Sequence, residues 1–122
     1  MSMRTETGRA LIESLYATVD ARDSQRLAGF LAPDVSFRLG NNPEAKGRDT
    51  VVEMNRGFFS SIKGMSHSID EIWELPSGAG CTGWVHYERL DGSRLSLPFA
   101  TILGLRDGLI ADYRVYADVS PL

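Results

Sequence analysis

At 122 residues the chain has room for one domain around one core, so a single unit spanning 1–122 is expected. An apolar share of 43% beside a charged share of 24% is that of an ordinary globular chain and argues against disorder. A net charge of −3, with thirteen Lys and Arg scattered rather than bunched, leaves no electrostatic footprint for nucleic acid or anionic lipid.

The first sixteen residues hold no apolar run long enough for a signal or membrane segment, which predicts a cytoplasmic protein. Helical periodicity comes next. In GRALIESLYATVDARD the residues Leu11, Ile12, Leu15, Tyr16 and Val19 share one helix face. Asp23 or Ser24 can cap a second, short helix with Leu27, Phe30 and Leu31 on its apolar side, and Pro33 ends it. VSFRL reads as a short strand and GNNPEAKG as a turn-rich loop. A third helix is predicted from Arg48 to about Ser61, with Val51, Val52, Phe58, Phe59 and Ile62 facing the core.

After Gly64 the period shortens to that of strands. MSHSIDEIWEL places Met65, His67, Ile69, Glu71, Trp73 and Leu75 on one face; PSGAG turns; CTGWVHYERL returns. Asp91-Gly92 is a hairpin signal, SRLSLPFATILGL follows, and Asp107-Gly108 leads into the closing stretch IADYRVYADVS. Pro98 belongs at an edge or a bulge. Helices first and an antiparallel meander last predict an α+β fold with helices on one face of a curved sheet. Alternation splits the closing strand into Ala111, Tyr113, Val115, Ala117 and Val119 on one side, and Ile110, Asp112, Arg114, Tyr116 and Asp118 on the other. By itself it does not say which side faces water.

The element order, with GRDTVVEM opening the third helix and DGLIADYRVYADVSPL closing the chain, resembles the SnoaL-like group of the nuclear transport factor 2-like superfamily. The resemblance covers nearly the whole chain. It implies a cone-shaped α+β fold, with N-terminal helices on a strongly curved, mainly antiparallel sheet enclosing a deep apolar pocket, and commonly a homodimer. It also implies that the charged side of the last strand looks inward. Asp118 then stands where limonene epoxide hydrolases keep the second Asp of their last strand. The Arg-x-Asp of those enzymes falls on Trp84 and His86, and their Tyr and Asn on Phe37 and Leu39, so their route to epoxide hydrolysis is not expected. The base of ketosteroid isomerases aligns near Leu39. Their two oxyanion-hole donors align near Leu15 and Thr101, with Tyr16 one residue off the first.

On this reading Asp118 and His86 form a carboxylate–imidazole pair, a sensible general acid–base arrangement when desolvated. Trp84 shares a face with His86, and Tyr116 with Asp118; both belong either to a substrate pocket or to plain core. His67 points to the inner face, as a hydrogen-bonded core residue or a ligand contact. Tyr16 lines the pocket mouth or joins the core, and Phe37 takes a substrate-lining place. Arg114 pairs with Asp112 or Asp118, or reaches solvent. Two His and one Cys far apart match no metal-ligand spacing, and neither metal nor cofactor is expected. Cys81 is alone, so no intramolecular disulfide forms; it reads as inert and favours a reducing compartment. The apolar side, Ala111 to Val119, would then face outward and need cover, which a second copy of the chain could supply as a homodimer.

The expected activity is cofactor-independent cyclisation, isomerisation or hydrolysis of a small, largely apolar carbonyl, polyketide- or terpenoid-like molecule. The alternatives are a ligand-binding or sensing module using the same pocket without turnover, or a protein-interaction domain.

Overall fold

The computed structural model describes residues 8–122; the first seven, over which no targeting segment is expected, lie outside them. No described helix is long and apolar enough to cross a membrane. Three helices pack on one six-stranded, mostly antiparallel sheet. The elements are α1 (Gly8–Asp20), α2 (Ser24–Ala28), β1 (Leu31–Leu39), β2 (Ala45–Lys46), α3 (Arg48–Ser60), β3 (Ile62–Leu75), β4 (Gly78–Arg89), β5 (Arg94–Arg106) and β6 (Leu109–Tyr116). The strand order is β2-β1-β6-β5-β4-β3, and the β1–β6 pair alone is parallel.

Each helix follows from its apolar stripe. α1 buries Leu11, Ile12, Leu15, Tyr16 and Val19, the face its periodicity predicts. Asp23 caps α2, its side chain accepting from the Arg26 N–H at 3.0 Å. That helix stops at Ala28. Of the two residues expected on it, Phe30 lies in the turn that follows, where its carbonyl accepts from Ile110 N–H at 2.8 Å, and Leu31 opens β1. β1 thus starts earlier than VSFRL, and Pro33 falls in its irregular stretch between Leu31 and Ser36. α3 ends at Ser60, so Ile62 is buried from a strand and not from a helix. Pro98 faces β4 only, because the β5–β6 ladder begins at Ala100 opposite Tyr116; the proline occupies a local edge.

Three one-residue irregularities decide what faces inward; the first, the extra Lys63 between Ile62 and Gly64 on β3, puts Ile62 and Met65 on the same inner side. In β3, Ile69 pairs with Gly83 and Glu71 with Thr82, leaving Asp70 as the extra residue. Beyond it the alternation changes sides. Ile72 packs against the core, while the Trp73 ring lies over Gly80 on the next strand. Between β5 and β6, Gly104 pairs with Asp112 and Leu105 with Ile110, so Ala111 is extra. Ile110 and Tyr113 are therefore both buried.

This reverses the expected orientation of the closing strand. Tyr113 is buried and Val115 and Ala117 pack on the core, whereas Arg114, Tyr116 and Asp118 are exposed. The apolar side is covered by this chain's own interior, and the argument for a second copy over it no longer applies.

Close strand approach at β4 depends on glycine. A Cβ at Gly83 would stand 2.1 Å from the Ser68 carbonyl oxygen and 3.0 Å from Ile69 Cα, beside the Asp70 bulge. Gly57, inside α3, has nothing within 4 Å. We predict that Gly83→Ala lowers stability by about 1–3 kcal/mol through backbone displacement, while Gly57→Ala raises it by about 1 kcal/mol through helix propensity. Urea unfolding midpoints of the two variants check both signs.

Candidate active site

Tyr16 and Asp20 lie four residues apart on α1 and so project from one side of the helix. Asp20 is at the C-terminal end of α1, where the helix dipole disfavours a carboxylate, so it needs local donors. β3 supplies them: the His67 backbone N–H donates to Asp20 Oδ2 at 3.0 Å, and Nδ1 lies 2.5 Å from Oδ1. The His67 side chain is 7% exposed and that of Asp20 27%, so the imidazole is enclosed while the carboxylate edge meets solvent. With the carboxylate as acceptor, the ring carries its proton on Nδ1 and leaves Nε2 as the basic nitrogen.

Aromatic rings hold that imidazole in place. Tyr16 lies against it at 4.3 Å between centroids, and Phe99 meets it edge-on at 5.0 Å. Behind them lies a buried polar group: the Tyr16 hydroxyl shares a short hydrogen bond with Thr101 Oγ1, and Tyr113 and Cys81 interact electrostatically with Tyr16 and Thr101. Phe37 packs edge-on against Tyr113 at 5.0 Å. Burial raises Tyr16 and Tyr113 well above the ordinary phenol range and pushes the Cys81 thiol up to about 11, so all three stay protonated at neutral pH. Tyr87, inward-facing on β4, is pushed up to about 12 by burial and then by the Asp20 charge.

Among the described residues no buried side-chain nitrogen or oxygen lacks a hydrogen-bond partner. Neither His67 Nε2 nor the Tyr87 hydroxyl has such a partner there, so both reach accessible space. On the paired strands His67 stands opposite Val85, one inward position from Tyr87, a diagonal that long side chains bridge. His67, Tyr87 and Asp20 thus converge where the C-terminal end of α1 meets β3 and β4. No group of three or more His, Cys, Asp or Glu that could hold a metal ion occurs among the described residues.

The residues singled out from the sequence divide between the two sides of the sheet. His67, Tyr16 and Phe37 are inside and connected as above. Asp118, His86, Trp84 and Tyr116 are on the other side. Trp84 is 43% and Tyr116 49% exposed. Asp118 and His86 are not brought together. Both Asp118 contacts are with Ser120, whose hydroxyl (2.7 Å) and backbone N–H (3.1 Å) donate to Oδ1, and these bonds lower its pKa. Both ring nitrogens of His86 are taken by serines, Ser68 at Nε2 and Ser96 at Nδ1. Arg114 forks onto Asp112 Oδ2 at 2.9 and 2.6 Å. The inner side is filled: Tyr16, Phe37, Phe99 and Tyr113 are each at most 5% exposed, where a deep open pocket was expected. Asp20, Tyr87, Phe99 and Tyr113 were missed. The four-residue step from Tyr16 to Asp20 was the available signal for the first, and Thr101, noted near an oxyanion-hole position, does meet Tyr16.

Comparison with known proteins follows the fold. A crystal structure of a candidate polyketide cyclase from Xanthomonas campestris pv. campestris superposes with a TM-score of 0.82 at 21% identity, covering 93% of this chain and 92% of that one. A Catenulispora acidiphila protein with a ketosteroid isomerase-like fold, in complex with trimethylamine, gives 0.84 at 15% identity, with 93% and 89% covered. TerC, co-crystallised with polyporic acid, gives 0.79 at 20% identity, with 93% of each chain covered. No curated protein matches the chain in sequence. The SnoaL-like domain family matches residues 12–113. The chain belongs to that family and has the nuclear transport factor 2-like fold.

Proposed function

We propose that this protein is a cofactor-independent acid–base enzyme acting on a small, largely apolar carbonyl compound, with His67 as its base. The observation that carries this is the enclosed Asp20–His67 pair, whose Nε2 has no hydrogen-bond partner among the described residues and lies one cross-strand diagonal from Tyr87, whose hydroxyl likewise has none. Nε2 takes a proton from the carbon next to the carbonyl. The C–H electron pair moves into the new C=C bond and the carbonyl pair onto oxygen, giving an enolate. Tyr87, held neutral by burial and the Asp20 charge, donates its O–H to that oxygen. The imidazolium then returns its proton to carbon, at the same or a conjugated position, or the enolate carbon attacks a second carbonyl, whose π pair moves onto oxygen, and the imidazolium gives its proton to that alkoxide as the ring closes. Asp20 is a positioning residue that fixes the tautomer, and Tyr16 supports the ring face. Neighbours described as candidate polyketide cyclases, and one co-crystallised with polyporic acid, support a carbonyl-rich substrate.

A second reading is favoured by the Asp20 bond to the His67 backbone N–H, which a purely structural staple would also make. Here the domain binds a ligand without turnover. A thermal-shift screen of β-dicarbonyl, polyketide-like and terpenoid compounds finds a binder, since ligand stabilises by mass action. On that compound we predict that His67→Gln lowers kcat by about 100-fold or more and Tyr87→Phe by about 100-fold, with folding retained by circular dichroism. Unchanged turnover in both variants would sink the enzyme reading, and binding without any turnover in the parent protein would establish the second. Asp20→Asn is expected to cost about 1–3 kcal/mol in urea unfolding, because it weakens a charge-assisted bond in an enclosed place.

A further inference from the structure

His86 stands on the side of the sheet away from the helices, in a row Ser66–His86–Ser96 across β3, β4 and β5. Its Nε2 is 2.9 Å from Ser68 Oγ and its Nδ1 2.8 Å from Ser96 Oγ. The next row, Gly64–Glu88–Arg94, lacks a side chain at its first position, and the two rows, with Met65 and Tyr87 between them, line a groove of about 370 Å³. Among the described residues Arg94 makes no ion pair or side-chain hydrogen bond, and neither does the Ser66 hydroxyl.

The proton count in this row is informative. A neutral imidazole has one N–H and one acceptor nitrogen, so one serine donates to the ring and only the other keeps its O–H free. An imidazolium donates from both nitrogens. Both serines then accept, and the hydroxyl proton of Ser96, the one of the two that lines the groove, is free to turn into it. An anion there gains that hydroxyl donor and a positive charge together when His86 is protonated. The other charged groups facing His86 are Arg94 on β5, Glu88 on its own strand, and Lys63 and Asp70 on β3. Lys63 lies 3.8 Å from Glu88 and offsets its charge. The described helices pack on the opposite side.

We propose that this groove binds a phosphate group and that binding is coupled to proton uptake at His86. Donors arriving from separate strands, Ser66 on β3 and Ser96 and Arg94 on β5, suit the several oxygens of a tetrahedral oxyanion better than the two of a planar carboxylate. The groove exceeds a bare phosphate in size, which leaves room for the small alcohol of a monoester. This site lies on the opposite side of the sheet from His67 and does not depend on the activity proposed above.

Sulfate is the first probe, because it is tetrahedral and keeps its charge across the range in which imidazoles titrate. Calorimetric titration of the full chain should give a dissociation constant about tenfold lower near pH 6 than near pH 8, a coupling of ordinary size. The His86 ring signals in NMR should shift to the protonated form as sulfate is added. His86→Gln should remove the pH dependence, and Arg94→Gln should weaken binding about tenfold at both pH values. Inorganic phosphate and phenyl phosphate then separate the sources: tighter phenyl phosphate assigns the groove to monoesters, and equal binding assigns it to free phosphate. Sulfate affinity equal at both pH values, or pH dependence surviving in His86→Gln, would overturn the proton coupling. Absence of saturable binding by any of the three anions would overturn the site.

Discussion

A strand has a period of two, so one inserted residue sends every later side chain to the opposite side of the sheet. That constraint governs this molecule. The extra Asp70 in β3 ends the inward run of Met65, His67 and Ile69 and brings Ile72 to the core in place of Trp73. The extra Ala111 in β6 lets Ile110 and Tyr113 both point inward. Bulges also bend and twist a sheet, and the helices fit on the side towards which it curves. The inward placement of Ile72, Ile110 and Tyr113 depends on those two positions being where they are.

The interior so formed is chemically unusual for a core of its size. Besides aliphatic packing it holds a histidine, an aspartate at its edge, three tyrosines, two threonines and a cysteine. Tyr16 and Thr101 bond to each other and Thr18 donates to the Ser14 carbonyl, so the cost of removing these hydroxyls from water is offset locally. The two polar atoms that are not bonded sit near the opening, beside the one carboxylate. Deep polar groups satisfied and shallow ones free is the arrangement a small-molecule site requires.

Much of the fold was legible in the sequence. Helical periodicity located α1 and α3, the Asp-Gly pairs located the hairpins, and the order of elements carried the family. The faces of the last strand were not legible, because alternation gives two sides without saying which is wet, and the bulge at Ala111 breaks the alternation at Ile110. Borrowing the orientation from the resemblance put Asp118 inside, whereas its carboxylate is exposed and held by Ser120. His67 was read correctly as inward from strand period alone. Its partner Asp20 was not, since the pairing joins residues 47 apart and depends on how α1 crosses β3.

The long β3 has a further consequence. It forms one margin of the sheet over fourteen residues, with only β4 beside it, while the opposite margin is a two-residue strand. A straight, apolar margin of that length would invite pairing with another chain and growth into fibres. Here the margin is interrupted by the Asp70 bulge and carries Lys63, Asp70, Glu71 and Glu74, all exposed. The same residue that turns the inner side chains towards the core therefore also spoils the template that an unprotected margin would offer, so selection for solubility and selection for the interior act on one position.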